Sequence, residues 1–350
     1  MNILYILPSL ANTAPIAIAY YLVEACIKEK FNVEVAFFDN INGLTFPCHT
    51  YQITMRTIID FDKYDIIHSH MRRPDKYVAK HRGKITKAKT ISTIHCDIYE
   101  DLKYSYGKIV AYVYSKLWTY NLKKIDYIVQ VSEFLMKKYN KLFDNNVLIH
   151  NGVKICNYEM ENYSDIMNKI KEYHSKNYKI IISYSNINRR KGLNQILNVI
   201  KEREDLSYIC IGNGEELDNI KRIVIKAELQ NRVCFFPFIL APYNIIPYID
   251  IVAVPSYSES FCLAIHEAGM LGASVVCSDI PAFRDAFDES EVSFFELDNS
   301  ESLLRAISNA LKCSYGMNLQ RKELACYTLD KMQDSYLKLY RGILKNRVYE

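Results

Sequence analysis

Short apolar runs alternate with longer segments of helical spacing along nearly the whole chain, and this alternation restricts the fold more than any other feature. Residues 3–7, 33–38, 66–67, 90–94, 127–131 and 147–149 read as strands in the first half. A second series follows at 180–183, 208–211, 233–236, 251–254 and 274–277. Helical segments between consecutive strands make the strands parallel, so the expected class is α/β with two doubly wound sheets. A chain of 350 residues is long enough for two such domains, each with a full core. The expected division is 1–165 and 166–330, with a helix in 331–350 crossing back to the first domain. The polar stretch after Val153, to about Tyr178, reads as a linker, and 321–345 as one long helix.

Composition excludes several classes. No apolar run reaches the ~18 residues of a membrane span. Met1-Asn2-Ile3-Leu4 enters a strand with no basic leader, so a cytoplasmic location is expected, with peripheral attachment to the inner membrane face as an extension. The 10 cysteines are scattered without a Cys-x-x-Cys pair, which suits buried thiols better than zinc or disulfides. A net charge of +4 is too mild to signal nucleic acid, and none is expected as a partner. Cations nevertheless crowd Arg72, Arg73, Lys76, Lys80, Arg82, Lys84, Lys87 and Lys89 against the one acid Asp75. That stretch is either a solvated face or a patch for an anionic acceptor or an anionic membrane surface. Tyr104, Tyr106, Tyr112, Tyr114, Trp118 and Tyr120 follow, as an interfacial helix or as core.

The chemistry concentrates where apolar strands end. After 251–254, Pro255-Ser256-Tyr257-Ser258-Glu259-Ser260-Phe261-Cys262 turns into a helix from Leu263, with Glu267 in its second turn. A helix start leaves N–H groups without intrahelical acceptors, and these attract phosphate or sugar oxygens. The two glutamates lie on the order of ten ångströms apart, far enough to hold both ends of an extended ligand. Ser185-Asn186-Ile187-Asn188-Arg189-Arg190-Lys191-Gly192 ends another strand, and its three cations suit a diphosphate. Gly212-Asn213-Gly214 is too short for a dinucleotide fingerprint and reads as a simple turn. His95 closes a strand of the first half, and His68-Ser69-His70 closes another without an evident third metal ligand.

In order and spacing, these pieces resemble the family-four retaining glycosyltransferases of bacterial surface-polysaccharide or lipopolysaccharide type. The resemblance spans nearly the whole chain. It runs from residues 3–10 through His95, Val131-Ser132-Glu133-Phe134, Asn151-Gly152-Val153, Lys191-Gly192 and Gly212-Asn213-Gly214 to Glu259 and Glu267. It implies the GT-B fold, two Rossmann-like domains facing across a cleft. It also implies retaining, metal-independent transfer of a hexose from a nucleotide-diphosphate sugar to a saccharide or lipid-linked saccharide acceptor. No cofactor is implied beyond a UDP- or GDP-linked donor. By the resemblance, Glu259 contacts the donor sugar and His95 sits beside it. Glu267 holds the ribose, Lys191 the diphosphate, and Ser260, Phe261, Cys262 and Leu263 line the sugar and phosphate. The Phe238-Ile239 loop borders the base.

The chain departs from the family pattern at three places. The loop after the first strand, with Asn12 and Thr13 on the acceptor side, lacks glycine. Asn186 stands where arginine is usual, which weakens the diphosphate clamp unless Arg189 or Arg190 substitutes. Ser260 and Cys262 replace glycines. These departures motivate an alternative, a catalytically impaired GT-B protein acting as a donor- or partner-binding subunit.

Overall fold

The computed structural model describes residues 1–41, 43–156, 163–313 and 315–346. The chain divides into two compact units, Met1–Gly152 with Leu329–Glu350, and Val153–Thr328. The first unit runs β1 (Asn2–Ser9), α1 (Ala14–Lys28), β2 (Asn32–Asp39), β3 (His49–Gln52), β4 (Ile66–His70), α2 (Arg72–His81), β5 (Lys89–Ile94), α3 (Ile98–Tyr106), α4 (Lys108–Leu122), β6 (Tyr127–Gln130), α5 (Glu133–Tyr139) and β7 (Asn146–Leu148). The second unit runs α6 (Ser164–Ser175), β8 (Lys179–Tyr184), α7 (Asn194–Glu202), β9 (Leu206–Ile211), α8 (Leu217–Lys226), β10 (Val233–Phe236), β11 (Ile251–Val254), α9 (Leu263–Met270), β12 (Val275–Ser278), α10 (Pro281–Ala286), β13 (Ser293–Phe295), α11 (Ser300–Lys312) and α12 (Tyr315–Cys326). The last helix, α13 (Leu329–Asn346), belongs to the first unit.

Both sheets are parallel, ordered β3-β2-β1-β4-β5-β6-β7 and β10-β9-β8-β11-β12-β13. In each, chain order reverses beside the first strand, between β1 and β4 and between β8 and β11. Loops leaving the carboxyl ends of such a pair diverge and leave room for a ligand, which makes these two places the natural binding points of an open α/β sheet. The strand Ile251–Val254 is buried along its whole length and reads as an unbroken apolar run, whereas Ile66–His70 and Leu206–Ile211, equally buried, carry the polar residues His68, Ser69, His70 and Ser207.

Three sequence expectations are corrected. The division falls after Gly152, ahead of the expected 165/166 boundary, because α6 lies inside the presumed linker and buries Ile166, Ile170 and Tyr173 on the second core. Residues 157–162 of that linker lie outside the described residues. The long C-terminal helix is two helices. The break is held by Val153, whose N–H donates to the Tyr327 carbonyl at 2.8 Å and which bridges Thr328. Finally, β3 and β13, both edge strands, escaped the reading.

In the first unit, α13 is tied to the sheet by a buried hydrogen-bond chain. The Tyr5 and Tyr340 hydroxyls meet at 2.8 Å, Tyr340 meets His68 Nδ1 at 2.8 Å, and His68 Nε2 meets Thr93 Oγ1 at 2.9 Å. Thr93 in turn meets the Tyr336 hydroxyl at 3.0 Å. Asp75 is fully buried and accepts from Ser69, Ser92 and Trp118 at 2.7, 2.8 and 2.7 Å, which clamps α2 and α4 to β4 and β5. Burial pushes its carboxyl up to about 6, against the pull of those three donors.

Candidate active site

The second unit builds its site from the two loops beside its switch point. Asn188 accepts the Lys191 backbone N–H at 3.2 Å, closing a 3-10 turn over Arg189–Lys191 that aims the lysine at the β11 loop. Gly192 follows at φ 63°, and a Cβ there would lie 2.1 Å from the Pro255 carbonyl oxygen. Only glycine permits so close an approach of these loops. They are laced by Tyr257 N–H donating to the Arg190 carbonyl at 2.8 Å and Arg190 Nη1 donating to the Ser258 carbonyl at 2.7 Å. Gln195 adds a bond from Nε2 to the Pro255 carbonyl at 2.8 Å.

The loops bring Lys191, Arg190 and Glu259 together. Lys191 Nζ lies 2.6 Å from Glu259 Oε1 and Arg190 Nη1 lies 3.3 Å from Oε2, while Ser256 donates to Oε1 at 3.0 Å. Glu259 is buried, which pushes its carboxyl up, but the charges of Lys191 and Arg190 and the bonds from Lys191 and Ser256 prevail and hold it below the usual range. The result is an ionised carboxylate orienting two cations. Arg189 points elsewhere, to Glu216 at 2.8 Å. Asn186 is exposed and leans over Gly214, whose Cβ would meet its Oδ1 at 2.6 Å.

Beyond Glu259, the loop rests on a buried floor. Phe261 stacks on His266 with ring centroids 3.9 Å apart and planes 15° apart. His266 Nδ1 donates to Glu323 of α12, 2.9 and 3.0 Å from its two oxygens. Ser260 is buried. Cys262 takes φ 65° and ψ 80° as the N-cap of α9, and desolvation pushes its thiol up to about 12, which keeps it protonated at neutral pH. Cys262→Gly is expected to raise stability by about 0.5–1 kcal/mol, since glycine alone takes this conformation without strain. Calorimetric melting of the two forms checks this.

Leu263 opens α9, and Glu267 lies half-buried one turn on, beside Tyr184. Burial pushes its carboxyl up to about 7, against a hydrogen bond from Tyr184. Phe238 is exposed and Ile239 packs on the core, in the loop after β10. The Gly212–Gly214 segment is more than a simple turn. Gly212, at φ 140°, would place a Cβ 1.9 Å from the Ser185 carbonyl oxygen, so it seats the β8 loop closely against β9.

In the first unit, His95 follows β5 and its Nε2 meets His70 Nδ1 at 2.9 Å, the rings stacked 5.2 Å apart. Burial pushes the His95 imidazole down to about 3 and, with the charges of His68 and His95, holds His70 well below its usual range. Both are neutral at neutral pH. His68 and His70 are thus engaged in packing and hydrogen bonding. Among the described residues no group of three His, Cys, Asp or Glu is placed to hold a metal ion. Asn12 and Thr13 are exposed at the start of α1, in the loop after β1.

Sequence reasoning passed over Gln195, Tyr184 and the His266–Glu323 pair, gave Ser256 no role of its own, and weighed His70 only as a metal ligand. The pair spans 57 residues and leaves no local signature. Gln195 had a signal in hindsight, being a polar residue on the apolar face of α7.

Comparison with known proteins bears on these loops. Residues 165–325 match the family model described as glycosyl transferases group 1, and residues 25–155 that of glycosyltransferase family 4. The chain is 29% identical, over an alignment of 368 residues covering 99% of each chain, to the O-antigen biosynthesis glycosyltransferase WclY of Escherichia coli. Among solved structures, sucrose-phosphate synthase from Thermosynechococcus elongatus matches with a TM-score of 0.83 at 15% identity, covering 99% of this chain and 100% of that one. Anabaena Alr3699/HepE in complex with UDP and glucose matches at 0.79 and 15% identity, covering 98% and 100%. At such identities the structural matches speak for the fold alone.

Proposed function

The chain belongs to the family-4 glycosyltransferases, and from that premise we propose that it transfers a hexose from a nucleotide-diphosphate sugar to a saccharide acceptor in O-antigen or lipopolysaccharide synthesis. The observation that carries this reading is the Lys191–Arg190–Glu259 cluster at the start of α9. Departure of a nucleoside diphosphate builds negative charge on phosphate while the sugar becomes oxocarbenium-like. Lys191, Arg190 and the first-turn amides of α9 suit that charge without a metal. Glu259 keeps both cations in place and offers its remaining lone pairs to sugar hydroxyls. Phe261 and Cys262 shape the sugar side, and Glu267 accepts from the ribose. His95, with a neutral imidazole, suits hydrogen bonding to sugar hydroxyls and not proton donation at neutral pH.

Retention is proposed by attack on the face the diphosphate leaves, with none of these residues as a covalent nucleophile. The role in O-antigen synthesis rests on the similarity to WclY. Arg190 beside Glu259 supports a working transferase over an impaired binding subunit, since it supplies the cation that Asn186 does not.

A thermal-shift screen across UDP- and GDP-linked sugars tests the donor. A true donor at about 100 times its Kd is expected to stabilise the chain by about 2.7 kcal/mol. Transfer from that donor should persist in EDTA and yield a product of unchanged anomeric configuration. Activity that disappears with chelator and returns with manganese overturns the metal-free reading.

A further inference from the structure

One glutamine holds three of the loops that leave the carboxyl ends of the second sheet. Gln195, in the first turn of α7, is buried. Its Nε2 donates to the Pro255 carbonyl at 2.8 Å and to the Gly192 carbonyl at 3.3 Å, and its Oε1 accepts the Asp298 backbone N–H at 2.8 Å. Pro255 directly follows β11, Gly192 directly follows Lys191, and Asp298 lies between β13 and α11. The amide has one workable orientation, because a flip would set its oxygen against two carbonyls and its NH2 against an N–H. Asp298 closes a second path to the same place. Its carboxylate accepts the Tyr257 hydroxyl at 2.5 Å, and the Tyr257 N–H donates to the Arg190 carbonyl at 2.8 Å. Asp298 itself stands at φ 58°, a costly setting for a residue with a side chain, and it is held there through both its N–H and its carboxylate.

We propose that Gln195 is a positioning residue for the transfer, which sets the spacing of the Lys191 and Glu259 loops and locks the Asp298 loop to both. Lys191 precedes Gly192, and Glu259 follows Pro255 in one loop, so the spacing that Gln195 fixes between Gly192 and Pro255 passes directly into the 2.6 Å contact of Lys191 with Glu259. A shift of about 1 Å in groups that must meet a transition state costs roughly a hundredfold in rate. A residue that only fills the core needs no polar atoms here. A buried amide is tolerated because each of its groups is paired, and the pairing ties it to the loops that carry the cations. The inference rests on the diphosphate role proposed for Lys191.

A double-mutant cycle on the full chain tests it, read as release of nucleoside diphosphate from the UDP- or GDP-linked sugar that stabilises the chain in the thermal-shift screen. Gln195→Met keeps the length of the side chain and removes its hydrogen bonds. It should lower turnover by about 10–100-fold with donor KM within about threefold, measured well below its melting temperature. In the Lys191→Ala background the same change should alter turnover by no more than about threefold, since a residue acting through Lys191 has nothing left to position. Tyr257→Phe breaks the Asp298 tie without touching the core, and should cost at least about fivefold in turnover with melting temperature unchanged. Full turnover in the folded Gln195→Met or in Tyr257→Phe overturns the proposal. An equal fold-loss from Gln195→Met with and without Lys191 overturns it too, while the diphosphate role stands if Lys191→Ala alone is impaired. Turnover retained in Lys191→Ala removes the diphosphate role and this inference with it.

Discussion

Lys191→Ala is expected to lower turnover by about a hundred- to a thousandfold, with a smaller rise in donor KM. The ammonium lies at the carboxyl end of the strand pair where the diphosphate is proposed to leave, 2.6 Å from a buried carboxylate that fixes its direction. An ammonium so fixed needs no reorganisation as charge develops on the leaving phosphate, and its contribution therefore grows toward the transition state. The substitution also leaves Glu259 with Arg190 as its remaining cationic partner, so a stability loss of about 1–3 kcal/mol should accompany it. Lys191→Arg should recover no more than about a tenth of the activity, because a planar fork does not replace a point charge in so enclosed a position. Steady-state kinetics with the donor found by thermal shift check this. Turnover within about tenfold of the wild type for the alanine variant would remove the diphosphate role of Lys191.

Glu267→Gln is expected to separate affinity from stability. In the free chain the Glu267 carboxyl is pushed up to about 7, whereas ribose hydroxyls donate to the ionised form. Donor affinity should therefore rise about tenfold per pH unit below 7 and level off above it. The glutamine variant should show a flat profile, with binding about 10–100-fold weaker at pH 8. Stability should move the other way. The folded pKa lies above the ordinary value of 4.5, so this group's stabilising contribution is complete below 4.5 and is lost as pH rises through about 7. At pH 8 the variant should be more stable by about 1–3 kcal/mol, and at pH 4 by almost nothing. Calorimetric titration of the donor and thermal melting across that range read both effects. A pH-independent affinity in the wild type would refute the ribose assignment.

The parts of the fold legible in the sequence are those whose signal is local. Ile251-Val252-Ala253-Val254 could be read as a buried parallel strand because every side chain in it is apolar and buried. The Glu259 segment could be placed at a strand's carboxyl end for the same reason. Strand β3 was not legible, because His49-Thr50-Tyr51-Gln52 pairs on one side only and stays half-exposed, with no apolar run to mark it. Ile166, Ile170 and Tyr173 carried the helical spacing of α6, but the polar residues around them masked it. The break between α12 and α13 depends on Val153, far away in sequence, and the helical period itself passes through Tyr327 and Thr328 without a breaker. The basic stretch 72–89 reads as a patch because its partners are distant. In the structure Arg73 pairs with Asp39, Arg82 with Asp126 at 2.8 Å and Lys87 with Asp65 at 3.8 Å.

The sequence by itself determined the α/β class, the parallel sheets and the loops from which the candidate residues come, because side-chain periodicity reports burial one segment at a time. Only the tertiary structure decided which cation joins Lys191 at Glu259, which strands flank that meeting point, and that Phe261 rests on His266 and Glu323. It also decided that His95 is neutral, Glu259 charged and Glu267 poised near neutrality. Those outcomes depend on strand order, which no local pattern encodes. They depend equally on how much water each group gives up, a property of everything packed around it.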